Sequence, residues 1–357
     1  MISDALAIGY PWNLHAETDI ARSMKSALRV AQAVLHRLSR GLRRVVQESH
    51  GASGTVASRW AGLASDAFVQ DLERVSWSGI PQIHRNHDFL ITGSRDLYWI
   101  DWLRDRYFPD GEAGDTLSLG CGAGHLDRIL RQHGFRFRSF TGIDISAQAV
   151  DRARTLARDI QLAPTIYYSA ADLNHLELPP NRYDFIYFFQ SLHHIEALEH
   201  ALAQCQRALR PSGLLLVNEF VGPSRFQWTD RQLELANAII AVLPEELRRD
   251  LLNGATKATV ERPTVRHMVK HDPSEAARSG EIETLVKAHF DVEGEWNWGG
   301  TLNHLVFQNI AGNFSQENAY HRSIIELLIH HENVLIREEF LPSDFKVFLA
   351  RHRAGNQ

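Results

Sequence analysis

Between about Asp115 and Ile310 the chain alternates short apolar runs with stretches of helical periodicity, and this alternation limits the fold more than any other feature. Strands that follow one another through helices pair in parallel, because a return to the same side of the sheet needs a long crossover. The pattern places strands at Thr116–Leu119, Ser139–Ile143, Thr165–Ser169, Tyr183–Phe189 and Leu214–Glu219. Helices fit Gly124–His133, Ala147–Ile160 and Leu198–Leu209, and Pro211-Ser212-Gly213 reads as a turn before the fifth strand. A helix over Ser279–His289 precedes two more apolar runs, Phe290–Trp298 and Leu302–Ile310. With Gly299-Gly300 between them, these runs read as a closing antiparallel hairpin.

The flanks differ in character. Residues 1–95 read as a helical N-terminal extension, 96–312 as the α/β domain with an insertion at about 221–278, and 313–357 as a helical C-terminal extension carrying HRSIIELLIHHENVLIREEF and SDFKVFLARH. In the first flank, Leu28, Ala31, Leu35, Leu38, Leu42 and Val45 keep an a/d heptad, surrounded by Lys25, Arg29, Arg37, Arg40, Arg43 and Arg44. Such a basic amphipathic helix at 24–46 suits packing or homo-oligomerisation first, and weak contact with a membrane surface second.

Composition removes several classes. Of 357 residues, 44% are hydrophobic and 23% charged, which excludes a disordered chain, a collagen and a disulfide scaffold. No apolar run approaches the ~20 residues of a membrane span, and the start MISDALAIGYPWNLH lacks a signal-peptide pattern, so a cytoplasmic protein is expected. A net charge of −5 argues against a globally basic nucleic-acid binder. Cys121 and Cys205 have no ligand spacing, and His330-His331 with His321 lack a His-Glu-x-x-His pattern, so no metal is expected.

Chemistry concentrates at three strand tips and the loops beyond them. Gly120, Gly122 and Gly124 join the first strand to its helix, where bare backbone admits a ligand. Their G-x-G-x-G spacing puts His125 where a dinucleotide fingerprint wants a last glycine or alanine, and no Lys-Ser/Thr pair makes a P-loop. Asp144 ends the second strand, where a carboxylate offers acceptors to both hydroxyls of a ribose. Asp172 follows the third, within reach of an adenine amino group. Each acid alone is equally well a helix cap; the set, in this order on consecutive tips, points to a nucleoside.

SLGCGAG, TGIDIS, SAADL, YDFIYFFQSLHHI and LRPSGLLLVNEF together resemble the class I S-adenosylmethionine-dependent methyltransferases over about 200 residues. The resemblance implies a Rossmann-like seven-stranded sheet whose last strand is antiparallel, with S-adenosylmethionine as cofactor and S-adenosylhomocysteine as its product. It also implies that Gly120, Gly122 and Gly124 wrap the methionine part, Asp144 the ribose and Asp172 the adenine. Ser118, Cys121, Ile145, Ala171, Leu173 and Gln190 complete the implied cofactor contacts. Ser118 departs from the family, which often carries an acid there, so anchoring of the cofactor's amino group falls to backbone carbonyls or water.

Methyl transfer to a hydroxyl needs alignment and removal of one proton, a task suited to histidine. His193 and His194 lie just past the fourth strand and Glu219 ends the fifth, an arrangement similar to natural-product sugar O-methyltransferases. Arg225 and Trp228, directly after it, read either as a substrate wall or as a packed insertion capped by Thr229 or Asp230. The sequence thus points to O-methylation of a sugar, glycan or other hydroxylated small molecule. An N- or C-methyltransferase and an inactive cofactor-binding scaffold are the alternatives, with no nucleic-acid partner.

Overall fold

A computed structural model describes residues 74–353. The basic helix read at 24–46 lies outside the described residues. The first half runs α1 (Pro81–Thr92), α2 (Trp99–Tyr107), β1 (Glu112–Leu119), α3 (His125–Gln132), β2 (Arg136–Asp144), α4 (Ala147–Asp159), β3 (Ile166–Ala170), β4 (Tyr183–Phe189), α5 (Leu198–Ala208) and β5 (Leu209–Phe220). The second half runs α6 (Asp230–Val242), α7 (Val265–His271), α8 (Ile282–His289), β6 (Phe290–Gly299), α9 (Asn303–Phe307), α10 (Ala319–Arg337) and β7 (Phe345–His352).

The seven strands form one sheet in the order β3-β2-β1-β4-β5-β7-β6. Strands β1 to β5 are parallel, and β7 runs antiparallel between β5 and β6. The chain therefore reverses its direction across the sheet beside β1. In open α/β sheets, ligands bind beyond the carboxyl ends of the strands at that point.

The central strands β1, β4 and β5 are covered on both faces, which explains why β4 and β5 read as near-continuous apolar runs rather than as alternating ones. In β4, Phe185 and Tyr187 join the core beneath α1 to α4, while Ile186 and Phe188 join the core beneath α5 and α8. The helices start where the sequence offers caps. Ser146 accepts from Ala149 N at the head of α4, and Thr229 forms a capping box with Gln232 at the head of α6. No helix among the described residues is long and apolar enough to cross a membrane.

Two expectations are corrected here. The run Leu302–Ile310 is not a strand: it holds α9, whose five residues are all buried. A segment apolar on every side carries no period, so helix and strand look alike in it. What decides the outcome is Glu332 of α10, whose carboxylate accepts from Leu302 N at 2.6 Å and Asn303 N at 2.9 Å and so starts the helix from outside. Gly299 and Gly300, both at positive φ, turn β6 into α9 instead of into a hairpin. The seventh strand comes instead from Phe345–His352, in the segment read as a wholly helical C-terminal extension. The α/β domain thus includes β7 and does not close at residue 312. Pro211-Ser212-Gly213 lies inside the bounds of β5, opposite a register irregularity in its pairing with β4.

Candidate active site at the strand tips

The glycine loop is drawn tight by backbone and carboxylate together. Gly120 N and Cys121 N both donate to Ile143 O, at 2.7 and 3.0 Å. Gly122 N donates to Asp144 Oδ2 at 2.8 Å, and Ser146 N to Asp144 Oδ1 at 2.9 Å. Asp144 therefore fixes the loop and its own helix start. Gly120 sits at φ +69°, and a Cβ there would lie 2.3 Å from Ser191 Cβ. Glycine is required at that position because the β4 tip passes directly beneath, with Ser191 Oγ donating to Leu119 O at 2.6 Å.

Above the loop lies a cavity of about 240 Å³, lined among others by Gly120, Asp144, Ile145, Asp172, Leu173 and His194. Asp172 caps its own turn by accepting from Asn174 N at 2.9 Å. The residues present fit a nucleoside cofactor: two carboxylates on adjacent tips, with Asp144 paired to Ala170 across β2 and β3, and bare backbone at Gly120, where a Cβ would meet Ser191. Cys121, Gly122, Gly124, Ala171 and Gln190 stand around this cradle in the loop and strand tips rather than in the cavity lining. Gln190, at φ +52°, is buried against Asn218.

Ser118 does not face the cavity. It is buried, and its Oγ donates at 3.1 Å to Asp127 Oδ1 in the first turn of α3. Tyr187 OH donates to the same oxygen and Tyr168 OH to Oδ2 at 2.7 Å. Burial pushes the Asp127 carboxyl up, and the three hydroxyls pull it partly back. Position 118 carries no carboxylate, and the one its hydroxyl meets is Asp127 on α3, which pins the helix that follows the glycine loop. Sequence reasoning missed Asp127, and its place three residues after Gly124 was the available signal.

Beyond β4 and β5 the proposed chemistry is brought together. Glu219 Oε1 accepts from Ser191 N and Leu192 N, and Oε2 holds His193 Nδ1 at 2.6 Å. With Glu219 accepting at both oxygens, Nδ1 of His193 carries a proton. His193 Nε2 has no hydrogen-bond partner, and Glu275 Oε1 faces it at 3.7 Å. All three side chains are wholly buried. His194 packs beside His193 with the rings tilted by 43° and their centroids 4.2 Å apart, lines the cavity, and lies 3.3 Å from Ser274 Oγ through Nδ1. His193, His194 and Glu275 are also the one metal-capable group among the described residues, with donor atoms within 4.8 Å of one another. In the sequence, Glu275 belongs to the run His271–Glu275, which reads either as part of a substrate lid or as a solvated loop or helix cap.

The two substrate-wall residues take other places. Trp228 is fully buried, stacked on Phe226 at a centroid distance of 5.4 Å, and shows no face to an open pocket. Arg225 turns its guanidinium onto the backbone carbonyls of Pro273 and Glu275, and its own N–H donates to Ala276 O at 2.6 Å. Thr229 caps α6, as the packed-insertion alternative held. Arg225, Phe226 and Ala276 all adopt positive φ. Non-glycine residues hold such angles only where the surroundings over-determine them, often next to a site.

Residues 117–217 match a family model described as a methyltransferase domain. The chain is 30% identical over 136 residues to 27-O-demethylrifamycin SV methyltransferase of Amycolatopsis mediterranei (strain S699), covering 37% of this chain and 49% of that one. It is 31% identical over 124 residues to ubiquinone biosynthesis O-methyltransferase of Coxiella burnetii (strain Dugway 5J108-111), covering 34% and 51%. The chain therefore spans about half the length of these curated relatives. Among solved structures, the S-adenosylmethionine dependent methyltransferase from Mesorhizobium loti aligns over 71% of this chain and 97% of that one, at 20% identity and a TM-score of 0.39.

Proposed function

We propose that this chain, which carries a class I S-adenosylmethionine-dependent methyltransferase domain, methylates a hydroxyl of a sugar, glycan or other hydroxylated natural product, with His193 as the base. The observation that carries the reading is the wholly buried Glu219–His193 pair, whose unpartnered Nε2 stands one residue from cavity-lining His194. Two relatives named as O-methyltransferases lend support.

The bound cofactor supplies the chemistry of a sulfonium methyl group, displaced in line by an oxygen lone pair. The chain's residues do the rest. Gly120, Asp144 and Asp172 hold and orient the nucleoside. His193 Nε2 would take the proton of the acceptor hydroxyl. Glu219 is the positioning residue: it fixes the tautomer and offsets the imidazolium charge. Burial keeps water from competing for the methyl group.

The test is production of S-adenosylhomocysteine and a methyl ether from hydroxylated acceptors, beside His193→Ala. Transfer that falls at least ~100-fold in the variant supports a base role, which typically contributes two to four orders of magnitude. Transfer that survives His193→Ala contradicts it.

A further inference from the structure

His193 is wholly buried and lies outside the lining of the cofactor cavity, yet a base has to meet its acceptor. Glu219 and Phe220 pack against it from β5 and His194 from the turn after β4, so these covers are fixed by the sheet. A further cover comes from the connection between α7 and α8, residues 272–281, where Glu275 Oε1 stands 3.7 Å from Nε2. The two residues just before it, Pro273 and Ser274, line the cofactor cavity. One short segment thus forms both a wall of that cavity and a cover over the base. Moving it joins the two spaces.

The segment is fastened at two points beside the sheet. At the first, the Arg225 guanidinium donates to Pro273 O and Glu275 O, and Arg225 N donates to Ala276 O at 2.6 Å. At the second, Arg278 pairs with Glu199 at 2.6 Å and donates to Glu196 O at 2.9 Å, and Ser279 Oγ donates to Gly222 O at 2.8 Å. The Glu199 carboxylate is 53% exposed, and an ion pair so open to water holds weakly. Arg225 and Ala276 both sit at positive φ, which non-glycine residues keep only under surrounding contacts. Lifting the segment frees both from the hydrogen bond that joins them.

We infer that residues 272–281 are a strap that lifts from the β4 and β5 tips to admit the acceptor to His193, with Arg225 and Arg278 as its two latches. The inference rests on His193 as the base. With the strap shut, the base is sealed from water. With it raised, the cofactor cavity opens onto Nε2, and closing over a bound acceptor restores the seal before transfer. Arg225 is the inner latch, because its guanidinium holds the two carbonyls that flank Ser274, whose Oγ lies 3.3 Å from His194 Nδ1. Arg278 is the outer one, open to solvent beside Glu199.

The experiment follows two rates in the full chain with no acceptor present: amide hydrogen exchange read by mass spectrometry, and carbethoxylation of His193 by diethyl pyrocarbonate. In Arg225→Ala and in Arg278→Ala, exchange over residues 272–281 and labelling of His193 should both rise ~10-fold or more, while β4 and α8 keep the parent's exchange rates. The two substitutions act at separate points, so a loss of fold in one leaves the other to decide. A gain confined to the strap and His193 in either variant supports the inference. It is overturned when neither variant shows such a confined gain, or when strap exchange rises and His193 labels as slowly as in the parent. The strap is read here without any methyl transfer, so it can fail while the His193→Ala transfer assay upholds the base, and the reverse.

Discussion

Glu219 Oε2 holds His193 Nδ1 at 2.6 Å, with both side chains wholly buried. Because Oε1 of the same carboxylate is fixed by the N–H groups of Ser191 and Leu192, the ring direction is set by the backbone of the β4 tip. The pair joins two neighbouring strands, β4 and β5, at the end of the sheet where the glycine loop also lies. Orientation of the His193 ring is thus a property of the fold.

Glu219→Gln tests that dependence. The amide has one acceptor oxygen where three donors now converge, so the ring loses its fixed tautomer. We expect kcat to fall roughly 100-fold or more, while KM for the methyl donor changes only a few-fold. Steady-state kinetics beside a melting curve check this, and a kcat within threefold of the parent argues against a positioning role.

Asp127 anchors the helix after the glycine loop through Ser118, Tyr168 and Tyr187. Asp127→Ala strands three buried hydroxyls, at about 1–3 kcal/mol for each left without a partner. We expect a loss of at least about 3 kcal/mol in urea unfolding, with weaker S-adenosylhomocysteine binding. A milder loss in Asp127→Asn, which keeps one acceptor, would fit the same cause.

Gly120→Ala places a methyl 2.3 Å from Ser191 Cβ at a φ of +69°. The left-handed conformation alone costs a non-glycine residue about 1–2 kcal/mol, before the clash is counted. We expect cofactor affinity to drop ~10-fold or more, read by calorimetry. Unchanged affinity would mean that the loop does not need its present path.

His304 gives a pH signature. It is wholly buried among Trp77, Phe226, Trp228 and Phe345, and burial, with nearby Lys257 adding, lowers its pKa to about 3. In the unfolded chain the group titrates near 6.5, so below that pH the unfolded state binds a proton the native state refuses. Its contribution is fully present above pH 6.5 and is lost as pH falls toward 3, by about 2 kcal/mol at pH 5. His304→Phe should remove that part of the acid sensitivity, seen as a smaller drop in urea midpoint between pH 7.5 and 5. Identical drops in parent and variant would refute the assignment.

The sequence made the parallel half of the sheet legible, and physical reasons mark where it stopped. β1 to β5 and the tips bearing Gly120, Asp144, Asp172, His193 and Glu219 were readable because strand, turn glycine and helix follow one another locally. β7 was not, since Phe345–His352 is buried on both faces between two strands and keeps no alternation to set it apart from a helix. α9 was misread because its cap, Glu332, lies 30 residues from Leu302. Trp228 and Glu275 were misplaced for a related reason. Residue type suggested a wall of Trp228, whereas contact with His193 belongs to a carboxylate that reaches it across 82 residues of chain.

The central claim is that the cradle of Gly120, Asp144 and Asp172 holds the nucleoside of the methyl donor. Calorimetric titration of S-adenosylhomocysteine into the protein and into Asp172→Ala tests it most directly, because Asp172 lines the cavity without tying the glycine loop. The account predicts one-to-one binding in the parent, weakened ~10-fold or more in a variant of unchanged melting temperature. No binding to the parent, or equal affinity in the two proteins, would contradict it.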